Sequence, residues 1–343
     1  MKNFNILYLD LPLLFDVETC IYTIALRNIL HDKLIVNCFE YKDLLEKRIS
    51  KEDIHLLFYS DFGYINYSDE FDDILKIYIT IEDCMPNLNV GDYFISTCPD
   101  NLMGRNLTCP TFMYYCCLYR NLDNDVNKLY KEYDEDYLFN RKFASYIVSN
   151  NIFCDARRLE LFDVLNSYEK VYAPAKAKHN CEFSDFLDNQ YFDQLTEKRN
   201  FVKHFKFNLS LENTISPNYI TEKIFDAFYN LTIPIYYGDP ELSHKVFNEK
   251  SFIDATLLTS DELLDYVKEI NEDKNKYLDM LFQPKINLEH TDYLLNIYNF
   301  LIHILNNPQK RMIKNGTHKR FMKEIYKLWI NHKDEVIDVN NLF

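Results

Sequence analysis

Between residues 205 and 237 two short apolar runs bracket a polar loop and a stretch of helical period. The runs are Phe205-Lys206-Phe207-Asn208-Leu209-Ser210-Leu211 and Ile233-Pro234-Ile235-Tyr236-Tyr237, and Gly238-Asp239-Pro240 follows as a turn. Ile220, Ile224, Phe228 and Leu231 recur on one helical face between them. The unit is strand, loop, helix, strand. Its loop reads Glu212-Asn213-Thr214-Ile215-Ser216-Pro217-Asn218-Tyr219-Ile220-Thr221-Glu222-Lys223. A polar loop entering a helix N-terminus suits an anion, because unpaired N–H groups and the helix dipole both point there. Glu222 and Lys223 fall in the first turn, where a sugar hydroxyl and a phosphate could be met.

The same alternation runs along the chain. Strands are expected at 5–9, 34–40, 54–59, 75–81 and 92–96, with helices at 18–30 and 41–48 among them. A polar, charged patch at 121–137 marks the expected domain boundary. A second alternation starts at Phe143-Ala144-Ser145-Tyr146-Ile147-Val148 and runs through Val171-Tyr172 and the unit above. Alternating strands and helices argue α/β architecture, with parallel sheets covered on both faces. In such sheets ligands sit at the carboxyl ends of the strands. The apolar content of 47% over 343 residues supplies two cores. The division reads as 1–138, 139–307 and a tail at 308–343.

Charge and composition narrow the chemistry. A net charge of −15 sets no positive field for nucleic acid. An anionic ligand must then be gripped by a local cluster of cations. Only five Gly occur, and none form a Gly-x-Gly-x-x-Gly or a P-loop, which counts against dehydrogenases and P-loop kinases. Nine Cys without a Cys-x-x-Cys pair read as free thiols in a reducing compartment. No zinc spacing occurs. Asp10 and Asp16 interrupt the first apolar stretch, so no signal peptide is expected, and no run of apolar residues is long enough for a membrane span.

The loop at 212–223 closely resembles the donor-binding motif of glycosyltransferase family 10, the α1,3/4-fucosyltransferases, and most of all its bacterial lipopolysaccharide α1,3-fucosyltransferases. That pattern is Glu-Asn-Thr, a variable loop, Tyr-(Val/Ile)-Thr-Glu-Lys-Ile, then a strand ending Ile-Pro-Ile-Tyr-x-Gly. The likeness continues through Phe247-Asn248-x-Lys250-Ser251-Phe252 and Lys276-Tyr277-Leu278-Asp279-Met280-Leu281. The resemblance implies a GT-B type α/β fold, two Rossmann-like domains facing across a cleft, followed by C-terminal helices. It implies an inverting transfer of L-fucose from GDP-β-L-fucose to a glycan hydroxyl, the 3-OH of N-acetylglucosamine or glucose in a Lewis-type or O-antigen glycan. Without a membrane anchor the chain looks like the cytosolic bacterial or viral type. The alternatives are a transferase for another GDP-sugar and an inactive glycan- or nucleotide-binding protein.

Inversion needs one base to take the acceptor proton and no enzyme nucleophile. Ile79-Thr80-Ile81-Glu82-Asp83-Cys84-Met85-Pro86-Asn87 ends an apolar strand in a carboxylate. On the residues alone a strand-end carboxylate in a solvated loop is the simpler reading. The resemblance makes Glu82 the base. The relatives have Asn where this chain has Asp83, and Gly where it has Ile81. Ser149-Asn150 and a following Arg match the relatives' diphosphate-binding segment. An Arg fork suits a diphosphate, and the count falls on Arg158, with Arg157 the other choice. By resemblance Glu222 holds the ribose hydroxyls, Lys223 and Tyr219 the phosphates, Asn213 the phosphate or the fucose, and Glu212 lies close to the sugar.

Asp134-Glu135-Asp136 has the form of a metal-binding Asp-x-Asp, but its acidic surroundings favour a solvated face. With Arg and Lys on the phosphates no obligatory metal or other cofactor is expected, and stimulation by Mg or Mn is left open. The stretch at 294–305 reads as a helix stopped by Asn306-Asn307-Pro308. Between Lys310 and Lys333 there are eight Lys/Arg and one Glu. A closing helix packed back on the N-terminal half and a peripheral contact with an anionic membrane both fit that tail.

Overall fold

The computed structural model describes residues 1–11, 15–63, 65–67, 69–114, 122–149, 155–187, 194–287 and 291–310. The chain forms two compact units, Met1–Cys109 with His290–Phe343, and Pro110–Glu289. The tail beyond 310 lies outside the described residues, as does its expected helix.

The first unit is built on β1 (Lys2–Leu9), β2 (Leu34–Glu40), β3 (Leu56–Tyr59), β4 (Leu75–Ile79), β5 (Tyr93–Ser96) and β6 (Asn106–Thr108). They pair in the order β2-β1-β3-β4-β5-β6, every pair parallel. Burial on both faces explains the unbroken apolar runs, such as Leu-Leu-Phe-Tyr in β3, where all four residues are buried. Leu7, Leu9, Leu57, Tyr78, Phe71 and Phe94 share one core. The helix Ile21–Leu30 packs against the late helix Thr291–Asn306, whose Ile297, Leu301 and Ile304 are buried. Tyr93 donates to the Asn307 carbonyl at 2.6 Å, and the Lys310 ammonium reaches Asp92 at 2.9 Å.

The second unit carries β7 (Lys142–Ser145), β8 (Val171–Tyr172), β9 (Phe205–Leu211), β10 (Ile233–Tyr237) and β11 (Ile253–Asp254), ordered β11-β10-β9-β7-β8 and again all parallel. In both units the second strand in sequence lies outside the first, and the third lies on its other side. Strand order therefore reverses between β1 and β3, and between β7 and β9. Crevices at such reversals are where doubly wound sheets hold ligands.

Strands 34–40, 205–211 and 233–237 fall where the sequence pattern puts them, and β6 and β11 are additions. The stretch 75–81 is strand only as far as Ile79. The unit boundary also differs from the expected 138/139. Residues 122–130 form a helix that belongs to the second unit, because Asp123 accepts the Lys285 N–H at 2.7 Å and Tyr130 donates to the Leu281 carbonyl. The helix Thr291–Asn306 belongs to the first unit, through the contacts just given. Short charged helices are hard to tell from linkers when their buried residues, here Leu122 and Val126, are spaced by Asp and Asn.

Candidate functional site

The reversal between β7 and β9 gathers most of the residues singled out in the sequence. After β9 the chain continues into Glu212 and Asn213. After β7 it reaches Asp155 and the helix Arg157–Tyr168. Asp155 accepts the Arg157 N–H at 2.9 Å, a local Asp-to-backbone bond just ahead of the helix. Arg158 is 2% exposed and donates from Nη1 to Asn213 Oδ1 at 2.9 Å. Among the described residues its Nε finds no partner and no carboxylate pairs with it. A buried guanidinium without an anion is unfavourable on its own and becomes favourable once an anion supplies acceptors.

Arg157 has a different task. It reaches Ser260 Oγ at 2.6 Å, the Leu258 carbonyl at 3.0 Å and Glu160, which ties this helix to the start of the helix Ser260–Glu272. Of the two candidate arginines, only Arg158 stands beside Asn213.

The helix Glu222–Tyr229 begins where the motif puts it. It ends at Tyr229, earlier than the periodicity through Leu231 suggests. The Thr232 N–H turns back to the Ala227 carbonyl at 3.0 Å, and Leu231 takes a left-handed φ of 53°. Ile224, Phe225, Ala227 and Phe228 face the core. Asn218, in the loop before the helix, has a φ of 65°, a conformation Asn tolerates better than most residues. Its N–H donates to Asp239 Oδ2 at 2.9 Å. Asp239 also caps the helix Pro240–Val246, so the expected turn at 238–240 is a helix start.

Glu212 is not exposed at all. It accepts from the Thr221 N–H at 2.7 Å, the Thr221 hydroxyl at 2.7 Å and Lys223 Nζ at 2.9 Å. The carboxylate thereby fixes the helix entry and the ammonium together. Burial alone would depress the Lys223 pKa, but Glu212 and Glu222 carry it above the ordinary lysine range, so Lys223 stays cationic. Glu222 lies 3.8 Å from Lys223 and 3.9 Å from Lys198, and Lys198 also pairs with the buried Asp226 at 2.9 Å. Lys198 was not visible in the motif, since it comes from the preceding helix Gln194–Val202. Tyr219 is 1% exposed beneath the loop.

Gly238 closes this corner. A Cβ there would stand 2.2 Å from the Tyr236 hydroxyl and 2.9 Å from Glu212 Cγ. Ser149 is exposed beyond β7, and Asn150 lies outside the described residues.

In the first unit Glu82 follows β4 and is half-buried. The Thr80 hydroxyl accepts its N–H at 3.0 Å and donates to its carbonyl at 3.1 Å, which pins the backbone of the carboxylate-bearing residue. Asp61, at the end of β3, accepts from Tyr78 and from Thr80, and burial holds its pKa above the usual carboxylate range. Burial, with Asp61, Glu82 and Asp83 nearby, pushes the Cys84 thiol up to about 12. Asp61 was missed in the sequence, where it stands as one of many loop aspartates.

Asp134 caps the helix Glu135–Phe139, and Asp136 meets Lys274 at 2.6 Å. The acidic run is thus a helix start with a surface ion pair. Among the described residues no cluster of three His, Cys, Asp or Glu could hold a metal ion, and no helix is long and apolar enough to cross a membrane.

Residues 139–295 match the model of glycosyltransferase family 10 (fucosyltransferase), C-terminal part. The chain is 31% identical over 241 residues to the alpha-(1,3)-fucosyltransferase FucT of Helicobacter pylori, covering 62% of this chain and 47% of that protein. It is 33% identical over 114 residues to the alpha-(1,4)-fucosyltransferase of Arabidopsis thaliana, covering 33% of this chain and 26% of that one. The chain thus spans less than half the length of these relatives. Its fold is similar to the crystal structure of an α1,3-fucosyltransferase with GDP, with a TM-score of 0.66 at 23% identity, covering 92% of this chain and 93% of the other.

Proposed function

We propose that this chain, whose residues 139–295 match the family 10 glycosyltransferase model, moves L-fucose from GDP-β-L-fucose to a glycan hydroxyl. The observation that carries the reading is Arg158, a buried guanidinium with an unpaired Nε beside Asn213 at the strand-order reversal. Its fork suits a diphosphate, and Lys223 adds a second permanent cation. Glu222 is the carboxylate for the ribose hydroxyls.

The transfer we propose inverts the anomeric centre in one displacement. Glu82 takes the proton of the acceptor hydroxyl. That oxygen bonds to the anomeric carbon while the bond from that carbon to the β-phosphate oxygen breaks. The electron pair leaves with GDP, whose growing negative charge Arg158 and Lys223 stabilise. The acceptor position is the 3-OH of N-acetylglucosamine or glucose. In this reading Arg158 and Lys223 meet the diphosphate, so a metal has no required part, and divalent stimulation is checked by adding Mg or Mn to the same assay.

The test is GDP release from GDP-fucose with lactosamine, lacto-N-biose and lactose as acceptors. Release stimulated by an acceptor, with an α1,3-fucoside as product, is expected. Failure to bind GDP-fucose at all would overturn the donor assignment.

A further inference from the structure

We propose that Tyr237 and Asp155 form a latch that positions Arg158, so that affinity for the nucleoside diphosphate depends on a tyrosine hydroxyl bonded to protein and not to the ligand. The proposal rests on the donor reading of Arg158.

Five hydrogen bonds close a ring through this corner. The Tyr237 hydroxyl donates to Asp155 Oδ2 at 2.7 Å. The Arg158 N–H donates to the Asp155 carbonyl at 3.2 Å, and Arg158 Nη1 to Asn213 Oδ1 at 2.9 Å. The Asp155 N–H donates to the Asn213 carbonyl at 2.8 Å. The neighbouring Glu212 N–H donates back to the Tyr237 carbonyl, also at 2.8 Å. Both ends of Arg158, its backbone and the acceptor of its guanidinium, are therefore referenced to Asp155. Asp155 is in turn referenced to the end of β10, whose Tyr237 stands in register with Leu211 of β9.

Such a ring matters because an Arg side chain has many rotamers, and a fork holds a diphosphate well only in one of them. Asp155 also spends Oδ1 on the Arg157 N–H at 2.9 Å, so the helix start is fixed by the same carboxylate. Tyr237 is 5% exposed. Burial, then the bond to Asp155, hold its pKa well above the ordinary tyrosine range, so the hydroxyl remains a donor at any working pH. Tyr237 is thus a positioning residue, and nothing in the motif marks it, because the relatives' strand ends Tyr-x-Gly with that position variable.

Calorimetric GDP binding to the intact chain tests this in four forms: unchanged, Tyr237→Phe, Arg158→Ala and the double variant, each with its melting temperature. Tyr237→Phe should weaken GDP by about 3- to 10-fold, the loss of one hydrogen bond, with little change in melting. Arg158→Ala should weaken it by about 30-fold or more. The double variant should bind like Arg158→Ala, because the latch acts only through that residue. Wild-type affinity in Tyr237→Phe, or the same fold-loss with Arg158 already removed, would overturn the latch while leaving the donor site intact. Unchanged affinity in Arg158→Ala would instead overturn the donor reading, and the latch with it. Should Tyr237→Phe fold poorly, Asp155→Ala carries the same comparison, since it removes the acceptor of the Tyr237 hydroxyl and leaves the backbone bonds of residue 155 to Asn213 and Arg158 in place.

Discussion

Lys223 donates to Glu212 at 2.9 Å from a side chain 19% exposed to one that is fully buried. The pair also takes in the N–H and hydroxyl of Thr221, so the helix that opens the donor motif is entered through a carboxylate behind it. The first expected consequence concerns stability. Glu212→Ala leaves the Thr221 N–H and hydroxyl without their acceptor and takes one partner from the Lys223 ammonium, which keeps the Thr221 hydroxyl at 2.8 Å and Glu222 at 3.8 Å. The change should cost about 1–3 kcal/mol. Equilibrium unfolding in urea measures it. GDP affinity should fall in the same variant, and a midpoint within error of the parent would contradict the account.

The two adjacent arginines should separate cleanly. Arg158→Lys keeps a charge but not the fork, and should weaken GDP by about 10-fold. Arg157→Ala removes the bonds to Ser260 and Leu258, so it should lower the melting temperature while GDP affinity stays within about twofold. Titration of GDP into each variant checks both. Equal losses of affinity would mean that the assignment to Arg158 is wrong.

Glu82→Ala should reduce turnover by about 100- to 10,000-fold, the range for removing a general base, while leaving GDP binding in place. Acceptor-stimulated GDP release and calorimetry on one preparation decide it. Turnover within threefold of the parent would remove Glu82 from the base role, and Asp61 would be the next carboxylate to replace.

How far the sequence speaks is clearest at the donor corner. The helix start at Glu222 and the strands on either side were readable, because period and motif spacing are local properties. Glu212 was expected near the sugar, and its carboxylate is committed to Thr221 and Lys223. That commitment depends on which way a side chain turns at a strand end, which no pattern records. Asp155, whose side chain accepts the N–H two residues on, had a usable signal in its spacing to Arg157. Tyr237 had none, since its partner is 82 residues away in sequence. The boundary at Cys109 and the return of the helix Thr291–Asn306 to the first unit are likewise products of long-range packing.

Buried lysines give the last prediction. Lys285 is 2% exposed, donates to the Leu281 carbonyl at 2.6 Å and lies 5.5 Å over the Phe228 ring. Burial lowers its pKa to about 7, with Asp123 opposing, and burial lowers that of Lys206 to about 8. In the unfolded chain both sit near about 10.4. Below the folded value, lysine is protonated in both states and the cost of burying its charge is felt in full. Between about 7 and 10.4 the unfolded state holds more protons, so stability climbs with pH, by at most about 1.4 kcal/mol per unit per group. The urea midpoint should therefore rise from pH 6.5 to 9.5. Lys285→Met should flatten the rise between about pH 7 and 8 and raise stability at pH 6.5, leaving the later part of the climb to Lys206. An unchanged slope in Lys285→Met would show that the ammonium keeps its ordinary pKa in the fold, by reaching water or by holding Asp123 more closely.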